Sequence, residues 1–457
     1  MCGPKKRDQV FTHEDVEKEI ANGRKLIIYD GKVVDVTNFV DRHPGGELVL
    51  QHAMHRDATA LIRVFHPDYV LETRVPRYVV GTLDPGSVAL EAKRHADKFS
   101  PDIDKDFFKL YQTIKANGWF EGDMKFFYAI MARLAVMFVT FVGLVVYGPK
   151  TFWNYMLAAF INGVYWHQSA FIGHDTGHSG ITQILFYDNI IGLIFGNTLG
   201  GISMAWWKKS HYVHHVATNH PEHDPDIQHI PVFAVSTKFF QSLYSTYHKR
   251  IMHFDAISGI FISVQHVLYY PIMALARFNL YAQSFILLAT DKRVKWRQWE
   301  ILGLLVFWTW FSYLMSFLPN LPTVAAYVLL SHCTTFILHV QITLSHFAMC
   351  TEEFGVDGEP FSAHQLRTTM DVDCPRWLDW FHGGLQFQVE HHLFPRLPRH
   401  NLRTIMPLVK EYCLKHNLPY HSYGFGKGNA MVLGSMRDVA NHVGLLARAS
   451  GGHQKNA

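Results

Sequence analysis

The chain has 457 residues, 49% of them hydrophobic and 14% aromatic, with charged residues at 18% against a usual ~25%. That balance suits a protein partly in lipid and partly in water, and the length allows two or more domains. A net charge of +4, with no basic block, argues against nucleic acid as a partner.

Residues 1–95 read as a small soluble α+β domain, because short apolar runs such as "KLIIYDGKVVDVTNFV" alternate with turn signals and none is long enough to cross a bilayer. Acids and bases balance within it. The N-terminal stretch has no apolar core of a signal peptide, so insertion is expected from internal segments. Residues 96–125 are polar and read as a linker to a membrane domain spanning 126–457.

In that domain "FFYAIMARLAVMFVTFVGLVVYG" and "FWNYMLAAFINGVYWHQSAFIG" each approach the ~20 residues a span needs, and they predict a helical hairpin. A second hairpin is predicted from 300–318 and 323–345, giving about four transmembrane helices. Apolar stretches at 181–205 and 256–290 are interrupted by His, Gln, Asn and Arg and read as interfacial or partly embedded helices. Two hairpins return the chain to one face each time. The hairpin loops carry almost no Lys or Arg, so the shared face is expected to be cytosolic. The cysteines (Cys2, Cys333, Cys350, Cys374 and Cys413) are odd in number and lack a Cys-x-x-Cys, which argues against a disulfide framework.

The 30 histidines are the anomaly. "HDTGH" carries His174 and His178 at i, i+4; "HYVHH" carries His211, His214 and His215 at i, i+3, i+4; "QVEHH" repeats that spacing with Gln388, His391 and His392. On a helix these positions share one face, so each stretch can present its side chains to one point. Imidazole suits Fe, Zn, Cu or Ni. A single zinc ion wants about four ligands, and seven histidines plus His346, at the end of the last span, suit two metals better. The His-Glu-x-x-His string of zinc proteases is absent, and a transporter would place its ionisable groups near mid-membrane. Redox-active iron is the better fit.

These three stretches resemble the histidine boxes of membrane fatty-acyl and sphingolipid desaturases, and the glutamine in the third resembles the front-end subgroup. The likeness covers nearly the whole chain. It is strongest toward fungal-type sphingolipid Δ8-(E)-desaturases, through "SAFIGHDTGHSGIT", "GISMAWWKKSHYVHH" and "NHPEHDPDIQHIPVFAVSTKFF". The resemblance implies an all-α membrane domain holding two Fe ions, with O2 as co-substrate and a ceramide long-chain base as the lipid. Gln388 then serves as a weak oxygen ligand or as an anchor for a metal-bound water.

"HPGG" at 43–46 and the later "VFHPDYV" resemble the cytochrome b5 fold. That resemblance implies haem b held by His43 and His66, with His52 and His55 as rival candidates. Bis-histidine ligation leaves no open position for oxygen, so such a haem transfers electrons. No Gly-x-Gly-x-x-Gly fingerprint occurs, so electrons are expected from NADH through a separate cytochrome b5 reductase, at the endoplasmic reticulum membrane.

Rival readings are a Δ6-type acyl desaturase, a lipid hydroxylase, and a non-catalytic haem- or metal-binding membrane protein. Around the boxes, Trp206 and Trp207 read as interfacial tryptophans or as channel lining. Asp175, Asp224, Asp226 and Glu390 read as partners that orient ligand histidines or as ordinary polar residues. His220, His223 and His229 are left outside the metal set.

Overall fold

The computed structural model describes residues 9–95, 98–351 and 359–453, with backbone alone for 91–95 and 446–453. Cys2 lies outside the described residues. The N-terminal unit is a four-stranded sheet in the order Gln9–Phe11, Val79–Leu83, Lys32–Asp35, Leu26–Tyr29, its first pair parallel and the others antiparallel. Asp30 and Gly31 both take positive φ, at 54° and 67°, the two-residue turn that matches the twist of a hairpin. One sheet face closes over Phe11, Val16, Ile28 and Val33. The other, with Ile27, Tyr29 and Val34, meets the short helices Glu47–Gln51 and Thr59–Phe65.

The expected linker is not a free tether. It contains the helix Ile103–Ala116, whose Phe107, Tyr111 and Ile114 are buried against Thr59–Phe65 on one side and Arg399–Lys415 on the other. Phe107 stacks on Phe394 with ring centroids 5.4 Å apart. Most of the polar residues that suggested a linker occupy this helix's outer face, whereas Asp106 is buried and pairs with Lys415 and His416.

All four predicted helices are present, as Met124–Val146, Phe152–Gly177, Arg297–Met315 and Leu321–Leu344 with a break at Thr335. The first two pack as a hairpin, whereas Leu321–Thr334 lies against Phe152–Gly177 rather than against Arg297–Met315. Of the four, only Met124–Val146 and Leu321–Leu344 are long and apolar enough to cross a membrane. Asp123 and Thr151 cap the first two helices through their side chains. Gly163 lets Phe152–Gly177 lie against Leu321–Thr334, since a Cβ there would stand 2.4 Å from the Thr334 Cβ.

The 256–290 stretch departs from expectation. Its helix Gln265–Thr290 is one of three, with Met124–Val146 and Leu321–Leu344, that are long and apolar enough to cross a membrane. Arg277, which argued against a span, is turned inward. It donates to the Gly200 carbonyl at 2.5 Å and the Tyr281 hydroxyl at 2.9 Å and lies over the Trp166 ring. A buried, hydrogen-bonded cation is tolerated in lipid where an outward one is not. Phe152–Gly177 misses that set for the converse reason: it is central to the bundle and buries Asn162, His167, Gln168 and Ser169.

Candidate metal centre

The three histidine stretches and His346 meet where the bundle ends and the cap begins. His174 and His178 sit at the end of Phe152–Gly177; the helix Met204–Val216 brings His211, His214 and His215; the short helix Gln388–Leu393 brings His391 and His392; His346 follows Leu344. Their imidazole nitrogens form two groups. His174, His178, His211 and His391 make one, and His214, His346 and His392 the other, with all ligand atoms within 4.8 Å of one another in each. His215 lies between, its ring 4.7 Å from His391 and 4.2 Å from His392.

The second group shows how the rings are aimed. His214 Nδ1–H donates to Asp224 at 2.9 Å, His392 Nδ1–H to the Gln365 amide oxygen at 2.9 Å, and His346 Nδ1–H to the Thr368 carbonyl at 3.2 Å. Each leaves Nε2 with a lone pair facing its neighbours, the tautomer a metal ligand needs. Gln388 is buried beside His346 at this three-histidine group.

Nε2 of His174, His391 and His392, Nδ1 of His215 and both nitrogens of His178 are buried without a hydrogen-bond partner. Such orphans are rare because each costs desolvation, and so many facing one another fit bound cations. Burial, then the neighbouring imidazoles, holds His211, His215, His391 and His392 well below the usual imidazole range, and so neutral. His214 differs: burial works against its charge, but Asp224 and Asp226 outweigh it and lift the ring to about 9, so that a bound metal ion would displace a proton from its Nε2. The same carboxylates raise its basicity as a ligand.

Trp207 packs against the histidines. Its ring stacks on His211 at 4.2 Å and meets His174 edge-on at 5.4 Å, covering the first group. Gly177 makes room, since a Cβ there would stand 1.9 Å from the indole.

In the N-terminal unit His43 and His66 face each other with ring centroids 6.0 Å apart. Two imidazoles bonded to one metal at about 2 Å each require a spacing of roughly 6 Å, so the pair fits a haem iron between them. Nδ1–H of His43 donates to the Gly46 carbonyl and that of His66 to the Ile62 carbonyl, leaving both Nε2 atoms free. Gly45 has no room for a side chain, with a Cβ 3.0 Å from the His43 ring, and Gly46 has φ +92°. His55 is elsewhere, bonded to Glu17 at the surface. His52 stacks on His223 at 4.3 Å, and His223 on His220 at 3.9 Å, joining the two halves of the molecule. His229 packs near Phe347. At the same junction Phe65, next to His66, places its ring 5.9 Å from that of His215, and Arg56 donates to the Val216 carbonyl.

Sequence spacing missed Gln365, Thr368 and Arg399, whose roles arise from tertiary contact. Asp175 pairs with Arg399, whereas Glu390 shares the Tyr420 hydroxyl with Asp371.

The fatty acid desaturase family pattern matches residues 150–424, and that of the cytochrome b5-like heme/steroid binding domain matches 12–84. The Delta 8-(E)-sphingolipid desaturase of Komagataella phaffii is 37% identical, over 96% of this chain and 94% of its own. A protein of the same name from Emericella nidulans is 36% identical, over 96% of each chain. The Delta(8)-fatty-acid desaturase 2 of Arabidopsis thaliana is 39% identical, over 95% of this chain and 94% of its own.

Proposed function

The chain belongs to the fatty acid desaturase family, with a cytochrome b5-like haem domain at its N-terminal end, and from this premise we propose that it desaturates the long-chain base of ceramide at carbon 8. The observation that carries the metal part is the pair of buried imidazole groups with their lone pairs turned inward. In this reading His174, His178, His211 and His391 hold one iron, and His214, His346 and His392 hold the other, with His215 between them and Gln388 beside His346. Two iron ions so held supply the O2-dependent removal of hydrogen from neighbouring carbons, which no side chain can perform.

The chain's own residues prepare that chemistry. Asp224, Gln365 and the Thr368 carbonyl fix the tautomers of three ligands. Trp207 stacks on His211 and fixes one side of the first group. His43 and His66 hold the haem, which receives electrons from an NADH-dependent reductase on the cytosolic face of the endoplasmic reticulum. The printed names of the fungal relatives support a sphingolipid substrate with E geometry. A fatty-acyl substrate is the second reading, favoured by the name of the plant relative.

The deciding experiment is expression in a yeast that makes no such double bond, with long-chain bases and fatty acids analysed separately by mass spectrometry. A new carbon-8 double bond in the base, with fatty acids unchanged, is the expected result. A new acyl double bond with unchanged bases would falsify the sphingolipid assignment and leave the metal and haem assignments standing.

A further inference from the structure

A narrow cleft opens beside the first histidine group, its lining including His174, His178 and His391 together with Asp175, Arg399 and Gly384. It has room for about one water-sized group. Asp175 and Arg399 have side chains only 6% and 7% exposed, and their Oδ2 and Nε stand 3.0 Å apart. They are nonetheless misaligned, so that neither atom makes a hydrogen bond. Two buried charged atoms thus keep unused hydrogen-bonding capacity at the edge of a cleft.

The depth of this cleft is informative. The Arg399 guanidinium lies over the Phe126 ring, on the first turn of Met124–Val146, a helix that can cross the membrane. The cleft thus lies beside the end of a helix long and apolar enough to cross a membrane, and the ends of such helices are where a lipid keeps its polar groups.

We infer that Asp175 and Arg399 form a binding site for a hydroxyl group on the polar end of the lipid substrate. A hydroxyl, like the water molecule it would displace, can accept from Arg399 Nε and donate to Asp175 Oδ2 together. The cleft admits it and excludes a phosphate or sugar. Carbon 3 of a long-chain base, which bears a hydroxyl, lies five bonds, about 6 Å, from carbon 8, and His174, His178 and His391 line the same cleft as the pair. Holding the 3-hydroxyl here sets which carbons meet the metal groups. Gly384 keeps the wall open, since its φ of +102° and a Cβ 3.0 Å from that of Arg399 leave no place for a side chain. The inference rests on the long-chain-base reading above.

The test is equilibrium binding of a saturated ceramide and of its 3-deoxy analogue to the purified full-length holoprotein. Wild-type protein should prefer the hydroxylated lipid by about 10- to 100-fold, the range for one charge-assisted hydrogen bond. Arg399→Gln should bring that ratio close to one, and Arg399→Lys, which keeps a cation without the fork, should give an intermediate ratio. Metal and haem content, measured on each variant, separate this effect from a damaged centre. A wild-type ratio near one, or a ratio unchanged in Arg399→Gln with metals intact, overturns the inference. Should Arg399→Gln not accumulate, Arg399→Lys decides: a full wild-type ratio overturns it and a reduced one supports it. Failure of the substrate reading is seen separately, as a product whose double bond lies in an acyl chain.

Discussion

The ring of Phe65, in the haem domain, stands 5.9 Å from the ring of His215, which joins the two histidine groups. Phe65 is covalently next to His66, so the haem pocket and the metal centre are separated by one side chain in van der Waals contact. The junction around it is apolar and continuous, with Ala53 and Leu61 sharing a core with Val213, Val216 and Phe394. Domains joined this way hold a fixed orientation, unlike those joined by small polar interfaces.

Phe65→Ala should therefore slow electron delivery by roughly 10- to 100-fold, the scale of cost for a loosened alignment, while the haem spectrum persists. Stopped-flow reoxidation of the reduced haem checks this. An unchanged rate would show that electrons cross elsewhere.

His43→Ala and His66→Ala should each remove the bis-imidazole haem absorbance and nearly all product formation. Replacing His55, which bonds Glu17 at the surface, should leave the spectrum as it is. Full product formation without a haem signal would mean that an external carrier bypasses the domain.

His214→Ala should strip metal from the second group and abolish product, with haem absorbance retained. Asp224→Asn is the finer probe, because the His214 Nδ1–H keeps an acceptor but loses the carboxylate. Loss of such a partner commonly lowers metal affinity 10- to 100-fold. Metal analysis against a graded chelator measures it.

Acid should loosen the junction. Burial, then His223, holds His52 down to about 3, and burial with the same neighbour holds His220 to about 2. The unfolded chain protonates these groups near 6.5, so it binds more protons than the folded chain at any pH between 6.5 and about 3. Stability is therefore intact above pH 6.5 and falls as pH drops, by about 1 kcal/mol per unit for each group. Melting midpoints of wild type and His52→Asn between pH 7.5 and 5.5 should converge at the acid end.

Much of the centre was legible because helical spacing is local. Three stretches with i, i+3 or i+4 spacing announced histidines that gather at one end of the bundle, though the second and third stretches each divide between two groups instead of facing one point, and "HPGG" announced the turn at His43. Spacing could not show how the stretches sort into two groups, because His391 joins His174 while its neighbour His392 joins His214 and His346. Adjacent residues on a short helix point in different directions, and only the packed fold shows toward what. Gln365 and Arg399 were invisible for a related reason, since their partners lie 27 residues away for one and in the first histidine stretch for the other. Arg277 misled outright: a charge in an apolar run reads as an interruption until the helix carrying it is seen to face inward.

The shared core also constrains how the chain is made. Leu61 leaves the ribosome more than 300 residues before Phe394, with which it shares an apolar core. At translation rates of 5–20 residues per second, the docking face of the haem domain stays uncovered for roughly 15 to 70 s. During that interval the membrane helices are being inserted nearby. The nascent haem domain thus presents an apolar face that the late-made C-terminal helices must cover.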